Sequence, residues 1–486
     1  MSFKNCLPEW VNTFNVLVFL LWQSTNFLAV QNIFPIFSNY VPKWRCKGNE
    51  SFDKNCTIFN SGCNLEYENN YFSSASIKFG WVCSEQSFLP SLQSQLQFFG
   101  VLLGTVVFGL MSDGFGRRLT SIIDMTLAFL LLITSAYVND PMMYVVIRFF
   151  LGMCIGGALN SCVTYVSEVL PPKQRLFARC SFNWGLSRLI ITFICFFFND
   201  YSSALIVSGI LLLPSVLLLI FYFPESPTWY HYKHKEDLMI KSEKRIAKLS
   251  HLQYIPIEHH QVTNKESFIS LLKDMNTFKR LFVLWCMWFV VSICGVAIDL
   301  NSNQISGNLY TNQLFFGFTI YFSKLFLPLL DEKCTWFTRR MLHQGSQSMI
   351  ITCFGILAIL VAIKYNGIAI LILNIIGVVF IEYCWDACYL CAVESMPTNV
   401  RSSSLASCSL QARIGAILSP MIIMLNTFWP SAAYSFVVSL GIINLIISYF
   451  FLVETKNVIL DNVHVIETLD DETDSAIEPM SESQQV

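Results

Sequence analysis

One short spacing of Glu, Pro and Arg occurs twice in this chain, and the distance between the copies limits what it can fold into. Glu168-Val-Leu-Pro171 is followed by Arg175, and Glu394-Ser-Met-Pro397 by Arg401, with Pro three and Arg seven positions after Glu in both. The copies lie 394 − 168 = 226 positions apart, close to half of the 486 residues. Arg117-Arg118 and Arg339-Arg340 repeat at 339 − 117 = 222, and Glu225 and Glu454 at 454 − 225 = 229. A long-period repeat of this kind implies two related halves. In an apolar chain it points to two helical bundles with a site between them, near the membrane midplane.

Apolar the chain certainly is. It is 54% hydrophobic and only 13% charged, with mean hydropathy +0.52, where soluble domains carry about 25% charged residues. Twelve runs are long enough to cross roughly 30 Å of hydrocarbon. They lie near 11–34, 90–111, 119–138, 141–165, 180–199 and 203–223, then 280–300, 309–330, 347–364, 367–392, 402–427 and 432–453. The first run is too long for a signal peptide and lacks a small-residue cleavage site, so it reads as a retained helix. The fold class expected is an all-α polytopic membrane protein of twelve transmembrane helices in two six-helix bundles, with a small extracellular loop domain. A net charge of −2 and the lack of a basic stripe exclude nucleic acid as a partner.

The divisions along the chain follow. Residues 1–40 hold the N-terminus and first span, 41–89 an extracellular loop, and 90–223 the rest of the first bundle. A polar, Lys-rich linker (224–279) joins the halves. The second bundle is 280–454, and the acidic, apolar-poor tail 455–486 reads as disordered. Loops with Arg117, Arg118, Lys173, Arg175, Arg179, Arg339, Arg340 and Arg401 are basic. The opposing short loops near 139, 200, 301 and 428 carry no Lys or Arg. This asymmetry places the basic loops and both termini in the cytoplasm. The loop 41–89 has Lys43, Arg45, Lys47, Lys54 and Lys78 against that rule, but its cysteines suit an oxidising compartment outside the cell.

That loop carries Cys46, Cys56, Cys63 and Cys83, candidates for two disulfides in any of three pairings. Asn49 and Asn55 each begin a glycosylation sequon. Most other cysteines lie in apolar runs. Cys384, Cys388 and Cys391 share one helix face and read as packing residues rather than a metal site. No metal-ligand spacing, nucleotide-binding loop or nucleophile–base motif is present, so no cofactor, no metal and no enzymatic activity are expected.

Several motifs occur in order. Gly109-Leu-Met-Ser-Asp113-Gly-Phe-Gly116-Arg117-Arg118 bridges the second and third spans, and Phe223-Pro-Glu225-Ser-Pro227-Thr-Trp229 closes the first half. Val41-Pro-Lys-Trp-Arg45-Cys46 opens the ectodomain, Trp81-Val-Cys83 ends it, and Ala392-Val-Glu394-Ser-Met-Pro397 leads to Arg401 and then Arg413-Ile-Gly415. The first motif resembles the signature loop of the major facilitator superfamily. The set, spanning about residues 10–460, resembles its organic ion transporter branch, the cation, anion and carnitine carriers. Gly114 stands where the signature loop usually has a basic residue, and Thr335 and Thr338 where the second copy would have Asp and Gly. The resemblance implies a plasma-membrane carrier of small organic ions, working with a coupling ion or exchange substrate. It implies gating roles for Asp113, Arg117, Arg118, Glu168, Arg175, Glu225, Arg339, Arg340, Glu394 and Arg401.

Three charges inside the second-half spans are the candidates for cargo recognition: Lys324, Asp386 and Arg413. A charge at mid-membrane costs about 2.5–3.5 kcal/mol on insertion scales, so each must face a wet cavity or a partner. The resemblance matches Lys324 to anion carriers, Arg413 to anion and carnitine carriers, and Asp386 to a substrate-contacting acid of cation carriers. Their sum of +1 favours an anionic cargo held by Lys324 and Arg413. Asp386 either selects a zwitterion or closes an ion pair with Arg413 or Lys324. Tyr321 and Trp385, with Trp285, Trp288 and Phe322, are the aromatic candidates for the cavity wall. Arg148, at the start of the fourth span, is expected to snorkel to the interface. Two other readings stand beside the anion carrier: a carrier of organic cations or carnitine-like zwitterions, and a non-transporting membrane sensor or scaffold.

Overall fold

Hydrocarbon offers the backbone no hydrogen-bond partners, so each spanning segment must satisfy its own as a helix. The computed structural model describes residues 12–47, 52, 56–59, 63–68, 72–254, 275–305, 307–333, 338–365, 367–396 and 401–454. Among them twelve long helices stand: α1 (Thr13–Ala29), α2 (Leu89–Phe115), α3 (Arg117–Tyr137), α4 (Pro141–Val169), α5 (Trp184–Phe197), α6 (Tyr201–Phe221), α7 (Met275–Asn301), α8 (Leu309–Lys333), α9 (Arg339–Ala362), α10 (Ala369–Glu394), α11 (Arg401–Met424) and α12 (Ala432–Phe451). All but α8, taken with flanking turns, are long and apolar enough to cross a membrane. α8 has the length but carries Asn312, Gln313 and Lys324. Polar residues start the helices where the sequence supplies them. Asn12 caps α1, Asp140 caps α4 ahead of Pro141, Asn183 caps α5, Asp200 caps α6 and Thr338 caps α9.

Two separate apolar cores form. One gathers α1–α6 around Phe34, Leu151 and Leu212, and the other gathers α7–α12 around Trp288, Phe354 and Val437. The bundles meet along two long helix pairs, α2 with α11 and α5 with α8. Swapping the halves exchanges these pairs, as the sequence repeat requires. The α5–α8 crossing is close enough to need glycine on both sides. A Cβ on Gly185 would sit 2.5 Å from the Tyr321 amide nitrogen, and one on Gly317 2.7 Å from Leu189 Cδ2.

The loop between α1 and α2 folds on one end of the first bundle, here the loop face. β1 (Trp44–Cys46) pairs antiparallel with β2 (Leu65–Tyr67), placing Arg45 opposite Glu66 in a 3.0 Å ion pair. The disulfides are Cys46–Cys63 and Cys56–Cys83. Phe72 and Trp81 are buried in the first core, where the Trp81 and Phe79 rings pack against Tyr144. Asn49 and Asn55 lie outside the described residues, as does the tail beyond 454. Closing loops of 17 and 27 residues stabilises by about 3 and about 3.5 kcal/mol in the chain-entropy account. The double variant C56S/C83S is therefore expected to open the loop more than C46S/C63S. Limited proteolysis of the purified protein should cut the loop first and leave the bundles whole.

At the opposite end, the linker face, two helices of the polar linker, Pro227–Tyr232 and Glu236–Leu249, follow α6.

Candidate functional site

Between the bundles lies a cavity of about 420 Å³. Its wall takes Asn26 and Asn32 from α1 and the turn after it, Trp184 from α5, Trp288 and Asp299 from α7, Glu382 and Trp385 from α10, and Arg413 from α11; Arg179 of the short helix Pro172–Ser181 completes it. The aromatic side is fixed. Trp288 donates its indole N–H to the Cys388 carbonyl at 3.1 Å and meets the Trp385 ring edge-to-face, 5.7 Å between centroids. A larger hollow of about 670 Å³ lined by Arg340, Gln344 and Tyr449 opens on the molecule's outer surface between α9 and α12, away from this seam.

The acids of the cavity each meet a base, whereas among the described residues neither of its arginines, Arg179 and Arg413, meets an acid. Asp299 holds Arg188, whose Nη1 lies 2.5 Å from Oδ1, and Arg188 also donates to Gln313 Oε1 at 2.8 and 3.2 Å. Glu382 lies 3.1 Å from Lys324 Nζ, which also touches Asp386 at 2.7 Å. Arg413 is half-buried, its Nε is enclosed without a hydrogen-bond partner, and among the described residues no carboxylate pairs with it. Arg179 lies 3.7 Å over the Tyr389 ring.

The five cargo candidates divide accordingly. Arg413 and Trp385 line the cavity. Lys324 and Asp386 bond to each other behind Glu382, so the pair that the sequence left open is Asp386–Lys324. Tyr321 serves the α5–α8 crossing, where its carbonyl accepts from Asn183 at 3.4 Å. Of the other aromatics, Trp288 joins the wall, Trp285 donates to Ser407 at 2.9 Å, and Phe322 is 60% exposed. The sequence reading passed over Glu382, Trp184, and the Arg188–Asp299 bridge. Arg148 corrects an expectation: it does not snorkel. α4 begins two turns earlier at Pro141, so Arg148 lies deep in the first bundle, fully buried, donating to Gln97 Oε1 and the Gln31 carbonyl at 3.0 Å each. Cys384, Cys388 and Cys391 are buried, and among the described residues no group of His, Cys, Asp or Glu is arranged to hold a metal.

The duplicated motifs meet at the linker face, each within its own half. Arg117 Nε donates to Glu168 at 3.3 Å and Nη1 to Asp113 at 2.5 Å, while Arg339 Nε donates to both oxygens of Glu394 at 3.1 Å. Glu225 accepts the Arg118 amide at 2.9 Å, and Glu454 accepts the Arg339 and Arg340 amides at 2.9 Å. Each carboxylate thus sits at a helix N-terminus, where the backbone dipole favours negative charge. The Arg118 side chain reaches the carbonyls of Leu219 and Ile220, and that of Arg340 the Tyr449 carbonyl. Gly116 makes the first turn possible with φ +113°, and a Cβ there would lie 2.4 Å from Glu225 Oε2. Burial pushes the Glu225 carboxyl above its ordinary range, against the pull of the backbone amides around it. Arg175 donates Nε to the Leu170 carbonyl at 2.6 Å, and the Arg401 side chain lies outside the described residues.

Two six-helix bundles related by a repeat, with a mixed polar and aromatic cavity in their seam, define a membrane carrier of the major facilitator class. The chain belongs to the sugar (and other) transporter family, whose profile matches residues 52–466. An uncharacterized Caenorhabditis elegans protein is 34% identical over 484 residues, covering 94% of both chains. Organic cation/carnitine transporter 4 of Arabidopsis thaliana is 25% identical over 84% of this chain and 80% of its own length. Solute carrier family 22 member 13 of Homo sapiens is 24% identical over 75% and 66%. The fold matches the inward open xylose transporter XylE of E. coli with a TM-score of 0.64 at 16% identity, over 93% of this chain and 98% of that one.

Proposed function

We propose that this protein is a secondary carrier of small organic ions across the plasma membrane, with a preference for anions. The observation that carries the preference is Arg413. It is a guanidinium on the cavity wall with no acid beside it among the described residues, while Asp299 is held by Arg188 and Glu382 shares Lys324 with Asp386. A guanidinium binds a carboxylate or sulfonate through two parallel hydrogen bonds. Trp184, Trp288 and Trp385 offer an apolar or aromatic body its contact surface. Relatives whose names specify organic cation and carnitine transport support the broader class.

Alternating access supplies the mechanism. At the loop face the halves touch through Tyr310, whose hydroxyl donates to the Cys195 carbonyl at 2.9 Å and whose ring stacks on Phe37. Rocking the bundles apart there opens the cavity to one side, and rocking them apart at the linker face opens it to the other. The disulfides of the loop support an orientation with the loop face outside the cell and the basic loops and both termini in the cytoplasm.

A second reading, a carrier of cations or zwitterions, draws support from Glu382, an acid on the same wall. Uptake into proteoliposomes separates the two. Labelled benzoate is expected to enter saturably and labelled tetraethylammonium to stay near the empty-vesicle background. The reverse order overturns the anion preference. Saturable binding of either probe without flux would point to a sensor instead.

A further inference from the structure

Glu382 and Asp386 stand one turn apart on α10 and share one base. Lys324 Nζ lies 3.1 Å from Glu382 Oε2 and 2.7 Å from Asp386 Oδ2, and it donates to the main-chain carbonyl of Glu382 at 2.9 Å. The three side chains are 14%, 14% and 21% exposed for Lys324, Glu382 and Asp386. Residues four apart on a helix are neighbours, so the two carboxylates repel. One ammonium cannot neutralise both, and in a poorly hydrated site the surplus negative charge draws a proton. The two acids differ in what they face, although Asp386 is the more exposed. Glu382 lines the cavity and Asp386 does not. The Asp386 bond to Lys324 is also the shorter.

The other charged and titratable groups around Glu382 set the direction. Asp299 on α7 is held by Arg188 of α5. Arg413 on α11 and Arg179 of the short helix line the same cavity. Cys180, on that short helix, lies within electrostatic reach of Lys324 and Asp386. Tyr383, beside Glu382, donates its hydroxyl to the Ser323 carbonyl at 3.4 Å. In the empty cavity the positive field of Arg413 favours the ionised Glu382. An anion seated on Arg413 cancels that field and leaves Glu382 the excess charge.

We propose that Glu382 is a proton-binding site coupled to the cargo: as an organic anion enters, the Glu382 carboxylate takes one proton from cavity water, and it returns that proton when the anion leaves. Lys324 stays with Asp386 throughout. The coupling rests on the anion reading given above, whereas the proton site itself does not. The sign follows from linkage. The anion raises the proton affinity of Glu382, so the proton raises the affinity for the anion by the same factor. Anion binding is therefore tightest at low pH and weakens as pH rises through the titration of the loaded state, by about tenfold per pH unit for one linked proton.

Infrared difference spectra of the full chain in lipid nanodiscs, recorded across pH without any cargo, test the site. A protonated-carboxyl band that grows on acidification is expected in the wild type, is expected only at lower pH in D386N, where Lys324 is left to Glu382 alone, and is expected to vanish in E382Q. If E382Q keeps the band, or if carbon-13 labelling of glutamate leaves the wild-type band at its unlabelled frequency, the assignment is overturned. Glutamine preserves the shape of Glu382, and a thermal melt confirms that each variant is folded. Benzoate added to lightly buffered nanodiscs tests the coupling. One proton taken up per benzoate bound, with an affinity that depends on pH in the wild type and is flat in E382Q, is the expected result. Benzoate binding with no proton uptake overturns the coupling. Failure of benzoate to bind at all sinks the anion reading, while the infrared band still decides whether Glu382 holds the proton.

Discussion

Replacing Arg413 by alanine is expected to abolish uptake of an organic anion while making the protein more stable. A charge-assisted hydrogen bond is worth about 1.5–3 kcal/mol, and each 1.4 kcal/mol is tenfold in affinity. Benzoate affinity in R413A should therefore fall by about 10- to 150-fold. R413K keeps the charge but loses the planar fork, so it should recover part of the loss. The stability change has the opposite sign because Arg413 holds an enclosed Nε with no partner in the resting protein. Removing a poorly satisfied polar group from such a site stabilises by about 1–2 kcal/mol, readable as a higher melting temperature in detergent. A structural arginine would move both measurements downward together. Benzoate binding in R413A equal to that of a folded wild type rules out the anion preference.

What could be read in the sequence tracks how strongly the bilayer constrains each feature. The spans were legible because hydrocarbon forces long apolar helices, and the duplicated Glu225 and Glu454, 229 positions apart, announced two carboxylates doing one job at two helix N-termini. The disulfide pairing was not legible. Three pairings fit the spacing, and the choice goes with the register of β1 on β2, which sets Cys46 opposite Leu65 with Cys63 just before that strand. Lys324, Asp386 and Arg413 stood out as isolated charges, but their count of +1 omitted Glu382. Its signal was present, since Glu382 and Asp386 are four apart in an apolar helix and so share a face. Arg188 and Asp299 lie 111 positions apart on helices from different halves. Nothing local links them, and only the packing of α5 on α8 across the seam brings them together.

That bridge supports the other large effect expected. Arg188 is 1% exposed and binds Asp299 and Gln313, and its guanidinium lies 5.0 Å over the Phe316 ring. Gln313 in turn donates to Ser302, whose hydroxyl donates to the Asp299 carbonyl. One residue of the first bundle is thus gripped by two helices of the second, near the loop-face contact of Tyr310 with Cys195. Removing one partner of a buried ion pair costs about 3–5 kcal/mol. Asp299 keeps a side on the cavity, so water recovers part of that, and about 2–3 kcal/mol is the reasonable expectation for R188L. Because the bridge spans the seam, the loss falls on the arrangement closed at the loop face. A bias of that size shifts a two-state population by about 30- to 150-fold. Ile33 is buried and lines the cavity, so a cysteine placed there reports the opening. In I33C carrying R188L, an impermeant thiol reagent added at the loop face should react far faster than in I33C alone. D299N should fall between them, since its amide still accepts one hydrogen bond. Equal labelling rates in all three, with only the melting temperature lowered by R188L, would mean that the bridge strengthens the protein without governing which face is open.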